Sequence, residues 1–386
     1  MTSSVEPWRS DAGVVLAAGP AVDVGARLLV DDLTPGAGRR SHRRSGQGGD
    51  ARDSSRQPRD QPDASVARPS PARSGRVAVF APSPLLTITI EPGSDREEVH
   101  LHAGGQGFWV ARLAATLGAE VVLCCALGGE PGRVLRGLLE AEPLSLRAVT
   151  AQSANGVYIH DRRGGSRREI VRVESAPLAR HAADELYGIA LGTGLDADLM
   201  LLTGVEPEHI VDPDMYRRLT SDLRSNGKLV IADLTGAALQ GALAGGVELL
   251  KISHEELLGA GYAASASLPD LLQGARALRA AGARLVLVSR AAAPALVVGD
   301  GESATALELV GPVFEPLDEH GTGDSMFAAT GVGLARGLGM VDALRLGAAA
   351  GALNATRRGL GSGTREEIER LAAHIAVRRV SDSATS

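Results

Sequence analysis

The densest chemistry in this chain lies in Asp318-Glu319-His320-Gly321-Thr322-Gly323-Asp324-Ser325-Met326-Phe327-Ala328-Ala329, ahead of an Ala/Gly/Leu helix that runs to about Arg336. Gly321 and Gly323 let the backbone turn tightly and aim successive N–H groups at one point. The helix start adds its unpaired donors and the positive end of its dipole. Such a place holds an anion. Asp324 in the same turn could take a proton from a hydroxyl as that hydroxyl attacks a phosphoryl group. A glycine turn with an aspartate capping a helix is also common without chemistry, so the rest of the chain has to decide between the two.

The 386 residues suffice for one large α/β domain or two ordinary ones. The chain is 44% hydrophobic but only 3% aromatic, so Leu, Val and Ala must fill its core. A net charge of −6 gives no general case for nucleic acid or an anionic membrane as partner. Cys124 and Cys125 sit inside an apolar run and read as small buried hydrophobes of a reducing cytosol. No apolar run approaches the roughly 18 residues of a membrane span. Met1 to Trp8 lacks a basic region ahead of an apolar one, so no secretory signal is expected. The expectation is a soluble cytoplasmic protein.

Residues 1–75 read as a disordered Arg/Ser/Pro/Gly-rich extension. From Gly36 to Ser74 there are nine arginines and four aspartates, with Val66 alone among larger aliphatics, too little apolar surface to offset ordering entropy. Ala12 to Leu33 is apolar enough for one short element. From Arg76 the pattern turns regular. Strands are expected at Val77–Phe80, Leu86–Ile90, Val121–Leu127, Leu199–Thr203, Leu229–Asp233, Val247–Lys251 and Leu285–Ser289, with helices after Gly107 and at Val134–Glu140, Met215–Arg224 and Leu268–Ala280. A hairpin is expected from Val157–His160 and Glu169–Val171. Continuous Val/Leu/Ile strands alternating with helices predict an α/β fold with a largely parallel sheet covered on both faces. Ligands then sit beyond the strands' carboxyl ends, where Asp233, Lys251 and Ser289 fall.

In order and spacing, Val77 to about Ala373 resembles the PfkB family of carbohydrate kinases, ribokinase-like in fold, and especially its phosphofructokinase and tagatose-phosphate kinase branch. Gly104-Gly105-Gln106-Gly107 with Val110-Ala111-Arg112 resembles that branch's N-terminal signature, and Ala81-Pro82-Ser83 its first loop. Asp233-Leu234-Thr235-Gly236 resembles its Asp-x-Ser/Thr-Gly turn, and Lys251-Ile252-Ser253-His254-Glu255-Glu256-Leu257 its Lys-Pro-Asn-x-x-Glu-Leu segment. The Gly321–Asp324 turn resembles its C-terminal signature.

The resemblance implies ATP-dependent phosphoryl transfer to a sugar or sugar-phosphate hydroxyl. Asp324 would be the base, and Gly321, Thr322 and Gly323 the anion hole. Lys251, Ser253, Ser289 and Asn354 would lie on the nucleotide side. Glu256 would organise Mg2+ through water, and Asp318 would help hold a monovalent cation such as K+. Ser83, Gly104, Gly105, Gln106 and Asn155 would approach the acceptor. The domain would span 76–376, with a small β lid near 99–102 and 153–173 that doubles as a homodimer clasp, and a flexible tail at 377–386.

The departures from the pattern gather at the acceptor end. Leu85 stands for an aspartate, Gln106 for a lysine, Trp109 for an asparagine, and Ser153-Ala154 for a Thr-Arg pair. Thr203-Gly204-Val205-Glu206-Pro207 replaces a Ser-Gly-Ser-x-Pro-Pro-Gly loop, and Ser253 replaces an asparagine. The lost cations need a substitute, for which Arg168 in the lid is the expectation; without one, an unphosphorylated sugar or a nucleoside is favoured, stacked on Trp109. Other readings are a silent regulatory relative that binds nucleotide or sugar, and a dinucleotide-binding oxidoreductase. Against the latter, Val110 holds the place of the third glycine.

Overall fold

The computed structural model describes residues 74–299, 306–312, 314, 320–357 and 363–380. The Met1–Arg73 part of the expected extension, Asp318 and residues 381–386 lie outside them. The chain enters through β1 (Arg76–Phe80) and then builds β2 (Leu85–Pro92) and β3 (Glu97–Gly104). Next come α1 (Gln106–Thr116), β4 (Glu120–Gly128), α2 (Gly129–Glu140) and β5 (Ser145–Ala151), followed by β6 (Val157–Asp161) and β7 (Arg168–Val173). Strands and helices then alternate: α3 (Arg180–Asp196), β8 (Leu199–Thr203), α4 (Pro213–Ser225), β9 (Leu229–Asp233), α5 (Gly236–Gly245), β10 (Val247–Ser253), α6 (His254–Gly259), α7 (Leu268–Ala280) and β11 (Ala283–Arg290). The chain closes with β12 (Ala293–Val298), β13 (Ala306–Val310), α8 (Thr322–Ala335), α9 (Met340–Ala355), α10 (Arg365–Ala372) and β14 (Ala376–Arg379).

Ten strands form one sheet in the order β14-β13-β12-β11-β10-β9-β8-β1-β4-β5, and β3-β2-β6-β7 form a smaller one. From β11 through β5 neighbouring strands run parallel, and β12, β13 and β14 add an antiparallel edge. The expected parallel α/β sheet with a small β lid is therefore what forms. Strand alternation splits the core in two. Val77, Val79, Leu123, Leu199, Leu201, Ile231 and Leu249 face α1, α8 and α9, whereas Ala78, Phe80, Met200, Leu202, Val230 and Leu250 face α3, α4, α5 and α7. At 0% to 2% exposure on both faces, these strands could not be read by hydrophobic alternation, only as apolar runs.

Two boundaries differ from expectation. The lid takes in all of β2 and β3, so its extent is Leu85–Gly104 with Val157–Val173. Residues 377–379 are no tail: β14 pairs Ala376–Arg379 with β13, Leu309 opposite Val377, and extends the sheet edge. Its short, charged sequence carries little apolar signal, and β5 at the other edge, whose residues alternate in exposure, also has no apolar run to announce it. Glycines set the close approach of α8 to α9, since a Cβ on Gly347 would stand 2.1 Å from Thr330 Oγ1. That packing fixes the start of α8.

Candidate active site

At the carboxyl edge of the parallel strands, the β9–β10 register sets Lys251 beside Asp233. Lys251 Nζ lies 3.0 Å from Asp233 Oδ2, with the two side chains only 6% and 3% exposed. Opposite them Gly321, left-handed at φ 73°, caps α8. The first helical hydrogen bond runs from Ser325 N–H to the Gly321 carbonyl at 2.9 Å, so the N–H groups of Thr322, Gly323 and Asp324 precede the ladder and face an incoming anion. A Cβ on Gly323 would stand 2.5 Å from Lys251 Nζ and would push the tip of that side chain aside. The ammonium thus lies against the glycine turn, and Asp324 follows at once.

Burial raises the Asp324 carboxyl above its ordinary range, Lys251 and a hydrogen bond from Gln106 pull it down, and Glu256 pushes it up. Asp233 is likewise raised, by burial first, with Lys251 opposing and Asp324 and Glu256 adding to the rise. Burial works against the charge of Lys251, yet Asp233, Glu256 and Asp324 hold its ammonium above the ordinary value. One cation therefore serves three carboxylates. Glu256 is anchored by a capping box at α6: its Oε2 accepts from Ser253 N–H at 2.7 Å, and its own N–H donates to Ser253 Oγ at 3.1 Å. The Ser253 hydroxyl thus accepts the cap hydrogen bond at the start of α6. Among the described residues no group of three or more His, Cys, Asp or Glu is arranged to hold a metal by itself.

Beneath the lid a cleft of about 630 Å³ opens from this cluster. Ser83, Gly104, Gly105 and Gln106 line it, as expected. Gly105 caps α1 at φ 90°, a backbone that favours glycine. Because α1 follows an antiparallel lid strand and not a buried parallel one, this turn is no dinucleotide fingerprint. Gln106 does more than line the wall: its Oε1 accepts from Gly204 N–H at 2.8 Å, which leaves its amide to donate to Asp324. It holds the Asp324 carboxyl, a link across 218 positions that no local pattern announces.

Asn155 does not line the cleft. It is 4% exposed; its Nδ2 lies 3.1 Å from each of Ser83 Oγ, Pro84 O and Ala126 O, and its Oδ1 accepts from Gly128 N–H at 2.8 Å. It ties the first loop to the end of β4. Asn354 is similarly internal, its amide donating to the His320 carbonyl at 2.8 Å and bracing the glycine turn from behind. Ser289, the penultimate residue of β11, pairs with Ser253.

Arg168 is the other correction. It is 73% exposed, bonds Asp161 at 2.9 Å and does not line the cleft. The lining cation is Arg172, the one cation among the described residues of the cleft wall. Residues four apart share a face in a regular strand, but a register shift between Ile159 and His160 leaves Ile170 as an extra residue. The bulge pairs Arg172 with Tyr158 and Arg168 with Asp161, on opposite faces of β6. Arg172 sits 4.8 Å over the Tyr158 ring and reaches Glu206 in the loop after β8 at 3.2 Å.

Residues 88–367 match the family described as pfkB family carbohydrate kinase. The chain is 29% identical over 308 residues to an ATP-dependent 6-phosphofructokinase isozyme 2 of Mycobacterium tuberculosis, covering 76% of this chain and 88% of that one. It is also 29% identical over 292 residues to a 1-phosphofructokinase of Haloferax volcanii, covering 68% and 88%. Among solved structures, phosphofructokinase-2 of Escherichia coli in complex with potassium superposes with a TM-score of 0.68 at 24% identity, over 78% of this chain and 98% of that one.

Proposed function

We propose that this chain, which belongs to the pfkB family of carbohydrate kinases, transfers the γ-phosphoryl group of ATP to a hydroxyl of a phosphorylated hexose. The observation that carries the reading is the meeting of three elements at one point: Asp324, the unpaired N–H groups at the start of α8, and the Lys251 ammonium against Gly323. Asp324 takes the proton of the acceptor hydroxyl as its oxygen bonds to phosphorus; the bridge to the β-phosphate breaks and ADP leaves. The N–H groups of Thr322 and Gly323, with Lys251, meet the charge of the transferring group. Gln106 holds Asp324 in place for this, and the lid excludes competing water.

The donor set fits Mg2+. Carboxylates in surplus over one ammonium, without a complete protein cage, suit an ion held mostly by phosphate oxygens and water. Bound there, Mg2+ would shield the phosphates, with Glu256 reaching it through water. The expected K+ contact, Asp318, lies outside the described residues; the E. coli relative was solved with potassium.

The acceptor assignment draws support from the phosphofructokinase relatives and from Arg172 in the cleft wall. A second reading, an unphosphorylated sugar or nucleoside, is favoured by Leu85 and Glu174, which line the same cleft and offer a phosphate nothing. Glu208 also lines it, but its Oε2 accepts from Ala237 N–H at 3.2 Å at the start of α5, where the helix dipole absorbs its charge. A homodimer through the lid is proposed as well, supported by Ile170, Val171 and Val173 standing 42% to 54% exposed on β7. Among the described residues no helix is long and apolar enough to cross a membrane.

The test is an ATP-coupled acceptor panel: fructose 6-phosphate, fructose 1-phosphate and tagatose 6-phosphate against fructose, ribose and nucleosides. A higher kcat/KM for one hexose phosphate is expected. Faster turnover of every neutral acceptor would overturn the phosphorylated-hexose assignment and leave the kinase standing.

A further inference from the structure

Arg172, the one cation among the described residues that line the cleft, is already engaged. Arg172 Nη1 lies 3.2 Å from Glu206 Oε2, while its Nε lies 3.5 Å from Glu169 and its guanidinium 4.8 Å over Tyr158. These partners differ in kind. Glu169 and Tyr158 belong to the same lid sheet as Arg172 and hold its position. Glu206 comes from the opposite wall of the cleft, in the loop after β8, and its side chain is 85% exposed. An exposed pair of this kind adds little to stability. A phosphate dianion offers the guanidinium a stronger, two-pronged contact than one carboxylate oxygen does.

We infer that Glu206 occupies the place of the acceptor's anionic group, and that Arg172 is the subsite for it: binding exchanges the Glu206 carboxylate for the acceptor's phosphate. The inference rests on the phosphorylated-hexose reading above. Arg172, held by Tyr158 and Glu169, keeps its position through the exchange, so no ordering of a long side chain opposes it. Glu206 thus competes with the acceptor's phosphate for the guanidinium. A neutral sugar has no use for that contact and leaves the pair in place. The exchange also releases the bridge between lid and core, so the lid responds to an acceptor with the right charge.

The experiment is acceptor kinetics on wild type, Glu206→Gln, Arg172→Ala and the double variant. The readout is the ratio of kcat/KM for fructose 6-phosphate to that for fructose. Glu206→Gln should raise this ratio about two- to fivefold, chiefly by lowering KM for the phosphate ester. Arg172→Ala should lower it by about tenfold or more. The double variant should match Arg172→Ala, because Glu206 acts only through that guanidinium. A ratio that falls in Glu206→Gln, or a double variant that keeps its gain, would overturn the inference. If wild type prefers fructose outright, the phosphorylated-hexose reading fails by itself, and the subsite is then judged by inorganic phosphate. Weaker phosphate inhibition of fructose turnover in Arg172→Ala than in wild type would support it, and equal inhibition would overturn it.

Discussion

At the α8 end of the cleft, every group proposed to act on the transferring phosphoryl is held from behind by buried structure. Lys251 and Asp233 come from the ends of central strands and are nearly inaccessible, and the glycine turn is braced by Asn354. At the lid end, Arg172 and Glu206 meet across solvent, 43% and 85% exposed, on a bulged edge strand and a loop. The first end is rigid because chemistry common to many acceptors needs fixed geometry. The second is made of contacts that exchange at small cost, which is where acceptor selectivity can differ between relatives without disturbing the reaction.

The largest effect should come from the rigid end. Asp324→Asn keeps the size of the side chain but cannot take a proton, so kcat should fall by about a hundredfold or more. Nucleotide affinity by calorimetry should hardly change. A variant that turned over at near wild-type rate would leave Asp324 without a catalytic role and restore the silent-relative reading.

The same division explains what was legible in the sequence. Gly321–Asp324, Asp233 and Lys251 are local signals: glycines at fixed spacing and polar residues closing apolar runs, each readable within a few positions. Gln106 was legible as part of the cleft but not as the partner of Asp324, because that hydrogen bond depends on how α1 and α8 pack. Asn155 and Asn354 read as ligand groups since buried asparagine amides look alike in sequence whether they serve a ligand or the backbone. Arg168 stands out in the sequence because it directly precedes Glu169-Ile170-Val171, where the lid strand begins, whereas the extra residue at Ile170 puts it on the face opposite Arg172, which a local pattern does not announce.

A second test asks whether Asn155 belongs to the scaffold. Asn155→Ala would leave the Gly128 N–H and several buried acceptors unpaired, so stability in chemical denaturation should drop by about 2–4 kcal/mol. A fully stable variant with only a raised acceptor KM would return Asn155 to the substrate and weaken the contrast between the two ends.

A smaller, pH-dependent effect follows from burial of the base. Burial raises the native pKa of Asp324 above its ordinary value of 3.8. The folded protein therefore binds that proton more tightly than the unfolded chain, a stabilisation complete below about pH 3.8 and lost as pH rises through the native value. At neutral pH the ionised carboxylate is a net cost. Asp324→Asn should accordingly melt above wild type at neutral pH, with the gap closing as pH falls toward 4. In wild type, kcat should decline in acid with a midpoint above 3.8. A variant melting below wild type at neutral pH would mean that Lys251 compensates the Asp324 charge in full.

The least effect is expected from Arg168, the arginine at the start of the lid strand. Arg168 is 73% exposed, and its partner Asp161 is also bound by Arg163 at 2.9 Å, so removing Arg168 leaves that carboxylate paired. Arg168→Ala should change the fructose 6-phosphate KM by less than about twofold and stability by no more than about 1 kcal/mol. Set beside Arg172→Ala, this isolates the bulge, since the two residues lie on one strand, four positions apart, with the same side chain. A loss of phosphorylated-acceptor binding in Arg168→Ala as large as in Arg172→Ala would mean that the β6–β7 register shifts when an acceptor binds. The lid strand, and not the Arg172–Glu206 bridge, would then be the part that adapts. A flat response keeps the anion contact on the Tyr158 face and makes the extra residue at Ile170 what decides which arginine the acceptor meets.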